Sequence, residues 1–279
     1  MPHHEIFSPG KIAIITGAAD GIGLAAAQRY AGLGMHVLLA DNDAARLADA
    51  ARSLAPRPGQ RIETRHLDVA RFEEVTALKK YAYATFGQVD VLMNNAGTSE
   101  KTGAWSTLAQ WQHLLGVNLW GVLHGVQAFT PAMIAQGTPA LIINTGSKQG
   151  ITNPPGNPAY NVSKAGVKAA TEALQHELRN TPNCQVNAHL LVPGYTFTGL
   201  TRRRVDSKPP GAWWPMQVID YMLEAIARGS FYIICPDNEV SSEEDARRIV
   251  WAAHDMVDDR PALSRWHPDH QAAFGIFKR

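Results

Sequence analysis

Short apolar runs alternate with longer helix-forming segments along most of the chain. The apolar runs predict seven β-strands, at residues 11–15, 36–40, 61–67, 90–94, 141–144, 186–191 and 231–235. The segments between them predict helices at residues 21–33, 44–54, 72–86, 108–136 and 159–179. Because strands that alternate with helices assemble into a parallel sheet covered on both faces, the pattern predicts an α/β fold.

The order of these elements predicts a single domain over residues 1–279. Right-handed crossovers between the strands give a doubly wound parallel sheet, the Rossmann fold, whose ligand crevice lies at the carboxyl ends of the strands. No repeat, low-complexity tract or linker divides the chain. We expect the core of the domain at about residues 10–235. Residues 236–279 form a C-terminal extension that covers either the ligand site or a subunit interface.

Composition and charge disfavour several classes of partner. The 26 Lys and Arg residues nearly balance the 25 Asp and Glu residues, so we expect neither nucleic acid nor an anionic membrane as a partner. The basic run Arg-Arg-Arg at residues 202–204 belongs either to a solvated surface or to a contact with an anionic group. We expect no membrane span, and residues 1–10 lack the pattern of a signal peptide. Cys184 and Cys235 have no metal or disulfide spacing, which favours a reducing cytoplasm.

Three glycines lie between the first predicted strand and the first predicted helix, at residues 16–23 (Thr-Gly-Ala-Ala-Asp-Gly-Ile-Gly). Glycine permits a tight turn and a close backbone approach, and the N-terminus of the following helix favours a pyrophosphate. Asp41 ends the second strand, where a carboxylate can bind the adenosine ribose hydroxyls and repel a 2′-phosphate. Asp20 adds negative charge, and Asn42 rather than Lys or Arg follows Asp41. These features favour NAD; a ligand-free glycine turn and an ordinary capping aspartate are the alternatives.

Further motifs follow in order and with consistent spacing. Residues 94–97 are Asn-Asn-Ala-Gly after the fourth predicted strand, and Ser147 precedes Tyr160-x-x-x-Lys164. Together with the glycine loop, these motifs resemble the short-chain dehydrogenase/reductase family over about residues 10–235. With this resemblance, the cofactor-binding residues are expected to be Gly17, Asp20, Gly21, Ile22, Gly23, Asp41, Asp68, Val69, Asn95, Ala96, Gly97, Tyr160, Lys164, Pro193, Gly194, Thr196 and Thr198.

Tyr160 and Lys164 lie four positions apart on a predicted helix and therefore share a face. An alcohol loses a hydride only as its hydroxyl proton leaves, and a tyrosine with an ordinary pKa near 10 is a poor base at neutral pH. The Lys164 ammonium and the positive ring of NAD would both favour the phenolate. Ser147 would hold the substrate oxygen. The resemblance adds that Lys164 binds the nicotinamide ribose and that Asn118 holds a water in a proton relay.

Two positions depart from the family pattern without affecting this chemistry. Gly146 replaces a common serine, which leaves Ser147 as the catalytic hydroxyl, and Thr196 replaces a more usual aliphatic residue. Taken alone, a Tyr and a Lys four apart are more typical of helix packing than of a site. Four histidines show no ligand spacing, so we expect no metal; they are His113, His124, His176 and His189.

Three loops should select the substrate, at residues 98–104, 149–157 and 195–215. The last is a candidate lid, because its Pro and Gly content suits a loop that orders over a ligand. Its aromatic residues favour an apolar or aromatic alcohol over a sugar; alternatively, its tryptophans pack on the body of the protein or on a neighbouring subunit. The candidate substrate residues are Gln149, Tyr195, Trp213 and Trp214.

The leading hypothesis is an NAD-dependent oxidoreductase that transfers a hydride between a secondary alcohol or ketone and the nicotinamide. We expect it to act as a homodimer or homotetramer. Two alternatives stay open: a non-catalytic module that senses dinucleotide, and a ketone reductase that prefers NADP.

Overall fold

A seven-stranded, entirely parallel sheet forms the centre of the molecule. The structure, a computed structural model, describes residues 3–202 and 207–278. The strands are β1 (Ile12–Thr16), β2 (His36–Asp41), β3 (Ile62–His66), β4 (Val91–Asn94), β5 (Ala140–Thr145), β6 (Val186–Val192) and β7 (Tyr232–Ile234). Their order is β3-β2-β1-β4-β5-β6-β7. The predicted doubly wound Rossmann fold is confirmed.

Helices cover both faces of the sheet. Those described are α1 (Gly21–Gly32), α2 (Ala44–Ser53), α3 (Phe72–Phe86), α4 (Leu108–Leu115), α5 (Gly121–Ala135), α6 (Gln149–Thr152), α7 (Pro158–Asn180), α8 (Gly199–Arg202), α9 (Pro215–Ala227), α10 (Ser242–Val257) and α11 (Gln271–Ile276). Short 3₁₀ turns lie at His3–Ile6, Ser264–Trp266 and Pro268–His270. In the described part of the chain, no helix has the length and apolar character to cross a membrane.

The alternation of side chains along the strands divides the buried apolar residues between the two faces of the sheet. In β1, Ala13 and Ile15 point into the cluster formed with α1 and α9, whereas Ile14 points into the cluster formed with α3, α5 and α7. All three side chains are fully buried, since a strand sends successive side chains to opposite faces. The central strands are therefore apolar throughout, and this gives the continuous runs in the sequence.

The predicted helix over residues 108–136 is interrupted. A π-helical segment, Gly116–Trp120, separates α4 from α5. Its buried residue Asn118 accepts a hydrogen bond from the Thr98 backbone N–H at 2.7 Å and donates one to the Thr98 carbonyl at 2.9 Å. Single π turns inside helices are frequent at functional sites, and this one seats an amide side chain beneath the loop that follows β4.

The C-terminal extension forms α10, two 3₁₀ turns and α11. Trp251 of α10 is its centre: the indole donates to Ser264 Oγ at 2.8 Å and lies edge-on to the rings of Phe274 and Phe277. The first turn of α10 is capped by Ser241, which accepts from the Glu244 N–H. Aromatic packing thus holds the extension together and fixes the direction of α10.

Candidate active site

A cleft of about 690 Å³ runs along the carboxyl ends of the strands, where the strand order reverses between β1 and β4. Most of the residues expected from the sequence line it. They are Gly17, Asp20, Gly21, Ile22, Asp41, Asp68, Val69, Asn95, Ala96, Gly97, Ser147, Gln149, Tyr160, Lys164, Pro193, Gly194, Tyr195, Thr196 and Thr198. Four others do not line it: Gly23, Asn118, Trp213 and Trp214.

Close packing of the glycine loop forms one end of the cleft. Gly17 has a positive φ of 65°, and a Cβ there would lie 2.7 Å from the Ala96 Cα. A Cβ on Gly23 would lie 2.1 Å from the Gly17 carbonyl oxygen. Gly23 thus lies behind the loop and allows α1 to approach β1. The loop and the N-terminus of α1 therefore present backbone to the cleft beside the Asp20 carboxylate.

Asn95 fixes the loop relative to three strands. Its Nδ2 donates to the carbonyls of Thr16 and Gly17 at 3.1 and 3.2 Å, and its backbone N–H donates to Thr16 Oγ1 at 3.0 Å. Thr145 at the end of β5 donates to Asn95 Oδ1 at 3.3 Å. A single amide side chain thus holds the ends of β1, β4 and β5 in register around the cleft.

The carboxylates at the adenosine end are held by backbone and by one arginine. Asp41 accepts from the N–H groups of Ala19 and Asp43, at 3.0 and 3.1 Å. Asp20 caps α1 by accepting from the Gly21 N–H at 2.6 Å. Arg46 of α2, which also lines the cleft, lies 3.8 Å from Asp20 Oδ2. The Asp20 carboxylate, which we expected to favour NAD, therefore has the Arg46 guanidinium beside it. Arg46 is not adjacent to Asp41 in the sequence, so this cation was not apparent there.

Ser147, Tyr160 and Lys164 meet at the other end. Ser147 follows β5, while Tyr160 and Lys164 project from α7. The Ser147 hydroxyl forms a hydrogen bond with Tyr160. The Lys164 ammonium is buried and donates to the Thr145 carbonyl at 2.8 Å, and it lies 5.9 Å from the centre of the Tyr160 ring. A hydroxyl, a phenol and an amine thus face one point of the cleft.

Burial shifts the two ionisable groups toward their neutral forms. It raises the pKa of Tyr160, and the hydrogen bond from Ser147 acts in the opposite direction. It lowers the pKa of Lys164 from 10.5 to about 8. From the sequence we expected the Lys164 ammonium and the charge of NAD to favour the Tyr160 phenolate. In the protein without cofactor, desolvation of the phenol is the larger effect, so the pKa of Tyr160 is raised.

Asn118 lies behind this group. Its amide donates to Ser163 Oγ at 3.2 Å, and Ser163 donates to the Tyr160 carbonyl at 2.7 Å. A Cβ on Gly97 would lie 3.4 Å from Asn118 Oδ1 and 3.8 Å from the Lys164 ammonium nitrogen. The π-helical segment therefore brings Asn118 next to α7 without exposing the Asn118 side chain to the cleft.

The substrate candidates divide into two pairs. Gln149 and Tyr195 line the cleft. Trp213 packs against the core and lies edge-on to Tyr221, and Trp214 is half-exposed outside the cleft. The backbone explains this, because Trp213 forms a bridge with Thr196 that closes the base of the 195–215 loop. Residues 203–206 of this candidate lid, with most of the basic run at 202–204, lie outside the described residues.

Several residues of the cleft were missed by sequence reasoning. Arg46, His113 and Lys148 line it, and Thr145 holds both Lys164 and Asn95. A polar residue at the end of a predicted strand was the only available signal for Thr145. The part of the chain that the structure describes contains no group of three His, Cys, Asp or Glu side chains arranged to bind a metal.

Comparison with known proteins identifies the family. A model of the short chain dehydrogenase family matches residues 11–209, and the chain belongs to this family. It is similar to 1-deoxy-11-beta-hydroxypentalenate dehydrogenase of Streptomyces avermitilis, with 33% identity over 86% of this chain and 89% of that protein.

Two solved structures with different cofactors resemble the chain. The structure of a short chain dehydrogenase/reductase from Burkholderia phymatum in complex with NAD has a TM-score of 0.82 and 33% identity, covering 91% of this chain and 96% of that one. An alcohol dehydrogenase from Thermococcus sibiricus, complexed with 5-hydroxy-NADP, has a TM-score of 0.71 and 26% identity, covering 82% of this chain and 96% of that one. The protein is therefore an oxidoreductase of this family, with a cleft for a nicotinamide dinucleotide.

Proposed function

We propose that the protein is an NAD-dependent oxidoreductase that interconverts a secondary alcohol and a ketone. One observation supports this above all others: Ser147, Tyr160 and Lys164 face the same continuous cleft as the glycine loop and Asp41. An elongated cavity with a helix N-terminus and a carboxylate at one end and a phenol–amine pair at the other suits a nicotinamide dinucleotide. When bound, the dinucleotide supplies the hydride acceptor for oxidation and the hydride donor for reduction.

Tyr160 exchanges the proton. In reduction, its hydroxyl donates a proton to the substrate oxygen, and the raised pKa keeps that proton in place at neutral pH. In oxidation, Tyr160 must first be deprotonated, which the Lys164 ammonium and the charge of the oxidised cofactor favour. Ser147 holds the substrate oxygen by a hydrogen bond. We propose that Lys164 binds the nicotinamide ribose and that Asn118 holds a relay water behind Lys164.

An apolar or aromatic secondary alcohol is the proposed substrate class. Val117, Tyr195 and Leu200 contribute apolar surface to the cleft, and apolar walls with few polar groups suit such ligands. The similar Streptomyces enzyme acts, by its name, on 1-deoxy-11-beta-hydroxypentalenate. A panel of apolar, aromatic and sugar alcohols, followed at 340 nm with NAD, tests the proposal. Turnover of an apolar alcohol is the expected result; tight NAD binding with no turnover of any substrate would instead indicate a dinucleotide sensor.

Arg46 favours a second candidate, an NADP-preferring reductase. Its guanidinium lines the adenosine end and is more than half exposed, so it could bind a 2′-phosphate by charge. We favour NAD because Asp41 occupies the ribose position. We expect wild-type kcat/KM for one ketone to be higher with NADH than with NADPH. Arg46→Ala should change kcat/KM with NADH by less than about threefold. It should lower kcat/KM with NADPH below the wild-type value. A wild-type preference for NADPH would overturn the assignment.

We also propose that the enzyme is a cytoplasmic homodimer or homotetramer. Cys184 and Cys235 are free thiols, which suits a reducing compartment. Several large apolar side chains lie exposed on helices near the cleft, including Leu108 of α4 and Val162 of α7. Such surface is commonly covered by a subunit neighbour.

A further inference from the structure

Lys148 lies in the cleft wall directly after Ser147, and two carboxylates hold its ammonium. The Lys148 nitrogen is 2.6 Å from Asp245 Oδ2 and 3.3 Å from Asp237 Oδ2. The exposed fractions of the three side chains are 17%, 7% and 5% for Lys148, Asp245 and Asp237. Since removing one partner of a buried ion pair leaves an uncompensated charge, the three groups constrain one another strongly.

Asp237 joins this lysine to the turn that follows the neighbouring strand, β6. Its Oδ2 also accepts from the Tyr195 backbone N–H at 3.0 Å, and its Oδ1 accepts from the Val240 N–H at 2.8 Å. A Cβ on Gly194 would lie 2.7 Å from Asp237 Oδ2, so the carboxylate packs directly against the turn formed by Gly194 and Tyr195. One carboxylate therefore connects the segment of the catalytic serine with the turn at Gly194 and Tyr195.

Asp245 brings the C-terminal extension into the cluster. It lies in the first turn of α10, which Ser241 caps. This helix lies outside residues 11–209, the part matched by the family model. The aromatic packing around Trp251 fixes α10, and α10 in turn delivers the carboxylate to Lys148. The extension thus reaches the cleft wall through a charged contact next to Ser147.

We propose that Lys148, Asp237 and Asp245 are positioning residues that set the separation between Ser147 and the Gly194–Tyr195 turn. This inference rests on the proposed function, in which Ser147 holds the substrate oxygen; Gly194 and Tyr195 of the turn line the same cleft. The ammonium and carboxylates bind one another, so the cluster acts through its neighbours. Because misplacing reacting groups by about 1 Å can reduce a rate by about 100-fold, loss of the cluster should lower kcat with little effect on cofactor affinity.

The test compares two Asp→Asn variants in the same extension. Asp245→Asn removes the charge next to Lys148. Asp258→Asn is the control, since Asp258 follows the end of α10, pairs with His254 at 3.0 Å and does not line the cleft. For each variant we would measure kcat for ketone reduction, the Kd and stoichiometry of NADH binding, and Tm. We expect Asp245→Asn to lower kcat at least about tenfold with a Kd within about threefold and one NADH per chain; Asp258→Asn should keep kcat within about twofold.

A second pair of variants tests the charge of Lys148. Lys148→Arg keeps the charge and should retain kcat within about threefold. Lys148→Gln removes the charge and should lower kcat as much as Asp245→Asn does. The positioning role is overturned if Asp245→Asn keeps wild-type kcat, if Asp258→Asn loses as much kcat, or if the Arg and Gln variants behave alike. Failure of the proposed function is different: the wild-type protein itself would then turn over no alcohol or ketone in the panel.

Discussion

Tyr160 and Lys164 are placed where burial and function act on them in different directions. Burial raises the pKa of the phenol and lowers that of the amine, so in the protein alone both groups shift toward neutrality. A phenol with a raised pKa retains its proton at neutral pH, as the proposed role of general acid requires, whereas the proposed role of base requires added positive charge. The ordered motifs around the pair pointed to it, but the protonation of Tyr160 and Lys164 depends on how deeply α7 is seated against β5, which no motif contains.

Loss of the Tyr160 hydroxyl should remove the proton transfer and little else. For Tyr160→Phe we expect kcat to fall by about 10²–10⁴-fold, the usual contribution of a positioned acid or base, with NAD affinity within a few-fold. Steady-state kinetics and a binding titration measure the two quantities. Tyr83→Phe is the control, because the Tyr83 hydroxyl bonds to Gln136 outside the cleft. Retention of most activity by Tyr160→Phe would contradict the assignment.

Lys164 should cost the folded protein stability at neutral pH. Its pKa is about 8 in the folded protein and near 10.5 when unfolded, so between these values the unfolded chain binds more protons. Wild-type stability therefore gains from this group as pH rises from 8 to 10.5. Lys164→Met should have a higher Tm than wild type at pH 7, by a few degrees, and this difference should shrink toward pH 10.5.

Thermal melts of both proteins without cofactor, at pH 7 and at pH 10, measure this difference. Lys168→Met is the control, since Lys168 lies one turn further along α7 at the surface and pairs with Glu172. It should show no gain in Tm at pH 7. A Lys164→Met protein that is less stable than wild type at pH 7 and no different in its pH dependence would refute the argument.

At the scale of elements, the π-helical segment and the glycine loop do the positioning. Each strand begins or ends within a few residues of its predicted position, because the apolar runs are themselves the buried strands. The break between α4 and α5 was not predictable from periodicity, since the π-helical segment is accompanied by a contact between Asn118 and Thr98, which lie far apart in the sequence. Similarly, aromatic composition suggested a lining role for Trp213 and Trp214, whereas the bridge between Thr196 and Trp213 determines their place.

The glycine loop allows a direct test of helix placement. In Gly23→Ala, the new Cβ would lie 2.1 Å from the Gly17 carbonyl and 2.7 Å from Asn95 Nδ2, so α1 must move away from β1. We expect a loss of about 1–3 kcal/mol or more in unfolding free energy, as for other overpacked sites, and a loss of NAD affinity. Chemical denaturation and a binding titration measure both.

Gly32→Ala is the matched control on the same helix. A Cβ at Gly32 meets nothing within 4 Å, and alanine is the better helix former. This variant should be as stable as wild type or slightly more stable, with unchanged NAD affinity. If both variants behaved alike, the close approach of α1 to the loop would not be what Gly23 provides.

At the scale of the whole molecule, the site is assembled from segments far apart in the chain. The order of motifs predicted the fold and most of the cleft, because parallel strands place their carboxyl ends at one edge. Arg46 and the cluster of Lys148, Asp237 and Asp245 could not be predicted this way. They meet only because α2 and α10 dock from positions that no short motif encodes.

Assembly should depend on the exposed apolar side chains of α4, the π-helical segment and α7. Trp120 is 54% exposed and Leu108 is 72% exposed. Covering such side chains gains about 25 cal/mol for each Å² of apolar surface buried. Light scattering after gel filtration should therefore give a dimer or tetramer for the wild-type protein at micromolar concentration, and Trp120→Glu should shift it toward monomer.

Met256→Glu is the control, since Met256 is 83% exposed on α10; it should leave the assembly unchanged. A monomeric wild-type protein would exclude the proposed oligomer, and an unaffected Trp120→Glu protein would place the interface elsewhere.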